Sequence, residues 1–114
     1  MRVTVVGTGY LGAVHSTCLA NLGFEVLGVD TDQSKVDSLT AGTAPFYEPG
    51  LPEALHRALG SGRLRFTTSL AEGAAFADVI FLCVGTPQRA DGFAADLTYL
   101  DTVCLLYTSD AADE

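Results

Sequence analysis

The segment VVGTGYLG, residues 5–12, holds three glycines in the spacing Gly7-x-Gly9-x-x-Gly12. Set between a strand and a helix, that spacing does the chemistry of anion binding. Gly7 permits a tight turn out of the strand. Gly9 has no Cβ to keep a pyrophosphate from the backbone, and Gly12 lets the helix close on the strand. The helix N-terminus then offers unpaired N–H donors and a partial positive charge. Alone, such a motif is also what a purely structural corner looks like.

Asp30 separates the two readings. It closes the second strand-like run, EVLGV, and lies 18 residues after Gly12, near the roughly 20 expected of a ribose-binding acid. Its carboxylate can accept hydrogen bonds from ribose hydroxyls and would repel a 2′-phosphate. No arginine follows in residues 31–34, so the pattern points to NAD rather than NADP. A second loop, Val84-Gly85-Thr86-Pro87, leaves the most apolar strand of the chain. In a sheet of order 3-2-1-4 it stands beside the glycine turn at the topological switch point.

No residue is assigned a catalytic role. Cys18, Cys83 and Cys104 lack metal-ligand spacing and have no basic partner to lower a thiol pKa. Cys18 is read as part of a buried helix stripe and Cys83 as part of a buried strand. His15 and His56 are read as solvated helix-surface positions. No metal site is expected.

The elements that must position these residues read as alternating strands and helices. Residues 2–6 (RVTVV) are apolar or β-branched at both parities, as in a parallel strand covered on both faces. Leu11, Val14, Cys18, Leu19 and Leu22 make one helical stripe, and Gly23 ends it. After the second strand, Asp32 caps a short helix over residues 33–39. A loop, GTAPFYEPG, leads to a helix with Leu51, Leu55 and Leu59 on one face. Residues 64–67 form a third strand, and Ser69-x-x-Glu72 has capping-box form, with Gly73 lowering the helix propensity behind it. VIFLCV, residues 79–84, is continuously apolar and is expected to be central in the sheet. The fold class is α/β, a Rossmann-type doubly wound parallel sheet truncated after about four strands.

Composition sets the outer bounds. The 114 residues carry 6 basic and 14 acidic side chains, a net charge of −8. That field disfavours nucleic acid as a partner. The longest apolar run is too short to span a bilayer, no leader is evident, and a reducing cytoplasm fits the scattered thiols.

At VVGTGYLG (5–12), CLANLGFEVLGVDTDQSKV (18–36), PFYEPGL (45–51), VIFLCVGTP (79–87) and DGFAADLTYLD (91–101) the chain resembles the N-terminal part of UDP-glucose dehydrogenases, within the UDP-glucose/GDP-mannose dehydrogenase family. The resemblance implies that Gly7, Thr8, Gly9, Tyr10, Leu11 and Gly12 carry the NAD pyrophosphate and that Asp30 holds the adenosine ribose. It also implies that Lys35 reaches the adenosine end and that Val84, Gly85 and Thr86 line the cofactor. From chemistry alone, Lys35 is a solvated helix residue pairing with Asp32. The family oxidises a sugar C6 alcohol to a carboxylate with two NAD, through a cysteine-bound intermediate. That cysteine and its supporting residues belong to a later part of the family's chain, as does the nucleotide-sugar site. The DG-x-x-ADL-x-Y form favours the UDP-glucose branch over GDP-mannose dehydrogenase. A stand-alone, non-catalytic NAD-binding module is the alternative from another class.

The resemblance covers residues 1–103, an incomplete NAD-binding domain. The remaining CLLYTSDAADE, residues 104–114, is read as a foreign tail. Without a fifth strand beside it, VIFLCV becomes an open edge, and self-association there is expected.

Overall fold

The structure is a computed structural model that describes residues 1–83. The β-branched run at the start forms β1 (Arg2–Val6), whose residues from Val3 to Val6 are all buried. Two further strands follow the expected bounds, β2 (Glu25–Val29) and β3 (Leu64–Thr67), and β4 spans Val79–Leu82. All pairings are parallel, in the order β3-β2-β1-β4. In register, Val3 stands between Val26 and Val79, and Val6 between Val29 and Leu82. This is the Rossmann arrangement inferred from the sequence, with β1 and β4 adjacent at the switch point.

Helices α1 (Tyr10–Asn21), α2 (Gln33–Thr40) and α3 (Leu51–Gly60) contribute Ala13, Ala20, Leu39, Leu55 and Ala58 to one core cluster with Val3, Val5, Val26 and Leu64. A second cluster joins Val6, Leu27 and Val29 to Leu70 and Phe76 of α4 (Leu70–Phe76). Side chains such as Leu27, Leu39 and Leu55, each 0% exposed, contribute about 1.5–3 kcal/mol apiece by leaving water.

The buried stripe of α1 is not the expected one. Gly12, Ala13, Ser16, Thr17 and Ala20 are buried, whereas Leu11 and Leu22 are 66% and 75% exposed and Cys18 is exposed. The reason is steric. The helix lies so close to β1 that only small side chains fit between them, and size overrides hydropathy in choosing the face. The two hydroxyls on that face are satisfied inside the helix, Ser16 Oγ donating to Gly12 O at 2.7 Å and Thr17 Oγ1 to Ala13 O at 2.8 Å.

Gly73 in α4 also answers to packing. A Cβ there would lie 2.6 Å from Val29 Cγ2 and 3.1 Å from Thr4 Cγ2, and Thr4 Oγ1 donates to the Gly73 carbonyl at 2.7 Å. Only half of the capping box forms. Ser69 Oγ accepts from Glu72 N at 3.1 Å, but the Glu72 carboxylate accepts from Thr67 Oγ1, which itself accepts from Ser69 N.

Strand β4 lies at one end of the sheet among the described residues rather than at its centre. Val79, Phe81 and Leu82 remain 38%, 38% and 41% exposed.

Candidate functional site

The three motif glycines answer to different demands. Gly7 has φ of 96°, in the left-handed region that favours glycine, and donates its N–H to Val29 O at 2.7 Å. That bond ties the turn to the end of β2. A Cβ on Gly12 would stand 1.6 Å from Gly7 O, so the helix–turn contact requires its absence. Gly9 is under neither constraint. Its φ is −68°, and among the described residues a Cβ there would meet nothing within 4 Å. Nothing among the described residues requires glycine at that position.

Gly9 is also the N-cap of α1, and no side chain caps that helix. Elsewhere Asp32 accepts from Ser34 N and Lys35 N at the start of α2, and Ser69 caps α4. The first-turn donors of α1 thus have no side-chain cap among the described residues, beside a residue without a side chain. Tyr10 and Leu11, in the same turn, are 50% and 66% exposed.

Asp30 sits at the mouth of this turn, partly exposed. Its Oδ2 accepts from Thr8 N at 2.9 Å and Thr8 Oγ1 at 3.0 Å, and its Oδ1 accepts from Asp32 N at 2.9 Å. Thr8 is fully buried, so its hydroxyl serves Asp30. A carboxylate offers about four lone-pair sites, and three are engaged here.

The pairing of Lys35 with Asp32 expected from their spacing does not form: among the described residues the ion pair is Arg65–Glu72. Asp32 spends its carboxylate on the cap instead. The Ser34 hydroxyl, then the Ser34 and Lys35 amides and the Lys35 charge, hold its pKa below the ordinary carboxylate value. Lys35, half-buried, keeps its ammonium unpaired among the described residues. Val84, Gly85 and Thr86 lie outside the described residues. The chain leaves β4 beside the glycine turn, where Cys83 N donates to Val6 O at 2.7 Å.

Two features escaped the reading of spacing. The Tyr10 hydroxyl donates to the Glu48 carboxylate, and the Phe46 ring stands edge-on to Tyr10 at 5.3 Å between centroids. Nothing in the spacing joins residue 10 to residue 48, although both lie in the segments that carry the family resemblance. His15, expected in solvent, has its Nε2 buried with no hydrogen-bond partner among the described residues and its ring edge-on to Phe81 at 4.7 Å.

The thiols differ from expectation in part. Cys83 is half-buried, and burial pushes its pKa up; Cys18 is exposed. No group of three metal-ligating side chains occurs among the described residues. No helix among them is long and apolar enough to cross a membrane.

A glycine turn at an uncapped helix, opposite an acid at the end of β2, is the geometry of a dinucleotide site. Residues 1–108 match the family model of the UDP-glucose/GDP-mannose dehydrogenase family, NAD-binding domain. The chain belongs to this family. It is 46% identical over 94 residues to the UDP-glucose 6-dehydrogenase YwqF of Bacillus subtilis, covering 82% of this chain and 21% of that protein. It is 42% identical over 104 residues to the GDP-mannose 6-dehydrogenase of Pseudomonas syringae, covering 91% of this chain and 24% of that protein.

Among solved structures, the GDP-mannose dehydrogenase ternary complex from Pseudomonas aeruginosa superposes with a TM-score of 0.88 at 41% identity, covering 94% of this chain and 24% of the other. A UDP-glucose dehydrogenase from Pyrobaculum islandicum gives 0.87 at 46% identity, covering 93% and 24%. The chain therefore spans about a quarter of the length of the relatives it matches and carries the family's NAD-binding domain.

Proposed function

We propose that this chain is the cofactor-binding portion of a UDP-glucose 6-dehydrogenase. The family reaction converts UDP-glucose, two NAD+ and water to UDP-glucuronate, two NADH and three protons. In this reading the first-turn amides from Gly9 to Gly12 meet the pyrophosphate. Asp30, with one lone-pair site free among the described residues and Thr8 bracing it, accepts from the adenosine ribose. Lys35 reaches the adenosine end, and Val84, Gly85 and Thr86 line the cofactor from the β4 side. When bound, NAD supplies the hydride acceptor; the residues of this chain bind and orient it.

The observation that carries the reading is Gly9. It is a glycine that backbone strain and packing leave unexplained, at the uncapped end of a helix, and the approach of a phosphate explains it. Titrating the chain with NADH and NADPH, followed by nucleotide fluorescence, tests this. NADH is expected to bind more tightly than NADPH. Asp30→Ala is expected to weaken NADH by about 10-fold or more, the loss of a charge-assisted hydrogen bond. Equal affinity for the two cofactors, or an unchanged Asp30→Ala, would remove the ribose assignment.

A GDP-mannose enzyme is the second reading, favoured by the 42% identity to the Pseudomonas syringae enzyme and the 0.88 superposition. The DG-x-x-ADL-x-Y segment favours UDP-glucose, and it lies outside the described residues. Self-association through β4 belongs to the same proposal, supported by the exposed Val79, Phe81 and Leu82. A monodisperse monomer in sedimentation at micromolar concentration would contradict it.

A further inference from the structure

Tyr10 is the first residue of α1, inside the glycine turn, and half of its surface faces solvent. An exposed tyrosine at a helix start is ordinarily free to change rotamer. Here two groups from one distant loop hold it, Glu48 at the hydroxyl and Phe46 at the ring.

That loop is itself anchored. Thr43 N donates to Ser38 O at 2.8 Å, and Leu51 N to Glu48 O at 3.1 Å. Phe46 and Ala44 pack against the main core cluster. At the far end, Asn21 Nδ2 of α1 donates to Ala54 O of α3 at 3.0 Å. Glu48 is therefore presented from a fixed backbone, which is what a positioning group needs. It is also spent on the phenol: its carboxylate makes no ion pair with any basic side chain among the described residues.

We propose that Glu48 is a positioning residue of the cofactor site, holding Tyr10 in one orientation beside the first-turn amides so that the 42–50 loop sets the affinity of the glycine turn for the dinucleotide. The inference rests on the NAD-binding reading of that turn. In physical terms, the Tyr10–Glu48 bond removes rotamer freedom before the ligand arrives, and binding then costs less ordering. The same bond leaves a spectroscopic mark. Hydrogen bonding to Glu48, then desolvation and the carboxylate charge, raise the Tyr10 phenol above its usual pKa.

The test uses the 114-residue chain with Glu48→Ala, Glu48→Gln, Tyr10→Phe and the double variant Tyr10→Phe/Glu48→Ala, each checked for folding by circular dichroism. NADH affinity and the tyrosinate absorbance at 295 nm are read for each. Glu48→Ala and Tyr10→Phe are each expected to weaken NADH by about 3- to 10-fold, the range for one hydrogen bond, with the double variant no weaker than either single one. Glu48→Gln, which keeps a carbonyl acceptor, is expected to restore most of the affinity. Glu48→Ala is expected to move one tyrosine's titration to lower pH, a transition absent from Tyr10→Phe. A merely structural Glu48 would lower thermal stability without that coupling to Tyr10. If wild type binds NADH and Glu48→Ala binds equally well, or the two single losses add, the positioning role is overturned while the NAD site stands. If wild type itself fails to bind NADH, the site reading fails and the inference falls with it.

Discussion

Asp30 and Thr8 are joined twice, through the Thr8 amide at 2.9 Å and the Thr8 hydroxyl at 3.0 Å, both donating to one carboxylate oxygen. The acid at the end of β2 thus holds the glycine turn at the end of β1. Its other oxygen takes the Asp32 amide and so bears on the start of α2. One side chain fixes the relative position of three segments that meet at the glycine turn.

Removing the hydroxyl while keeping the shape isolates half of that link. Thr8→Val should lower stability by about 1.5–3 kcal/mol, the range for a hydrogen bond to a charged acceptor. It should also weaken NADH, because Asp30 loses its brace. A denaturant midpoint and an NADH titration unchanged from wild type would show that the backbone amide alone suffices.

Close packing between layers makes two glycines structural. Gly73→Ala forces a Cβ against Val29 and Thr4 and should cost about 1–3 kcal/mol, as overpacking does. Gly12→Ala, whose Cβ would overlap a backbone carbonyl at 1.6 Å, should displace α1 from β1 and prevent native folding. Chemical denaturation read by far-UV circular dichroism checks both; a Gly73→Ala midpoint equal to wild type would contradict the contact.

Asp32 gives the α2 cap a pH dependence whose sign is fixed by the depressed folded-state pKa. The carboxylate stabilises the fold above the unfolded-state pKa, and that stabilisation is lost as pH falls through the folded one. Asp32→Asn should therefore be less stable than wild type near neutrality, with the gap closing as the pH drops below the carboxylate range. Paired thermal melts across that range would contradict the cap if the gap stayed constant.

How far the sequence carried the fold follows from which forces were local. β1 to β3 were legible to the residue, β1 and β2 because parallel strands buried on both faces leave an apolar signature. The caps at Asp32 and Ser69 were legible for the same local reason. The face of α1 was not, because the choice between Leu11 and Ala13 is made by the distance to β1, a tertiary quantity. Gly73 resembled a helix defect until Val29 and Thr4 were seen against it. The site divided in the same way: Gly7, Gly12 and Asp30 announce themselves by spacing, whereas Glu48 reaches Tyr10 only through the fold. The Lys35–Asp32 pair failed because an N-cap competes for the same carboxylate.

Gly9 remains the position where fold and ligand can be separated. The decisive measurement is NADH titration of Gly9→Val by calorimetry, alongside a thermal melt of the same sample. A Cβ at residue 9 meets no atom of the described residues within 4 Å, so the melt should stay close to wild type, shifted only by the helix-end preference. NADH binding should be lost, because the side chain would occupy the space proposed for the pyrophosphate. Wild-type affinity in a folded Gly9→Val protein would contradict a dinucleotide at this turn.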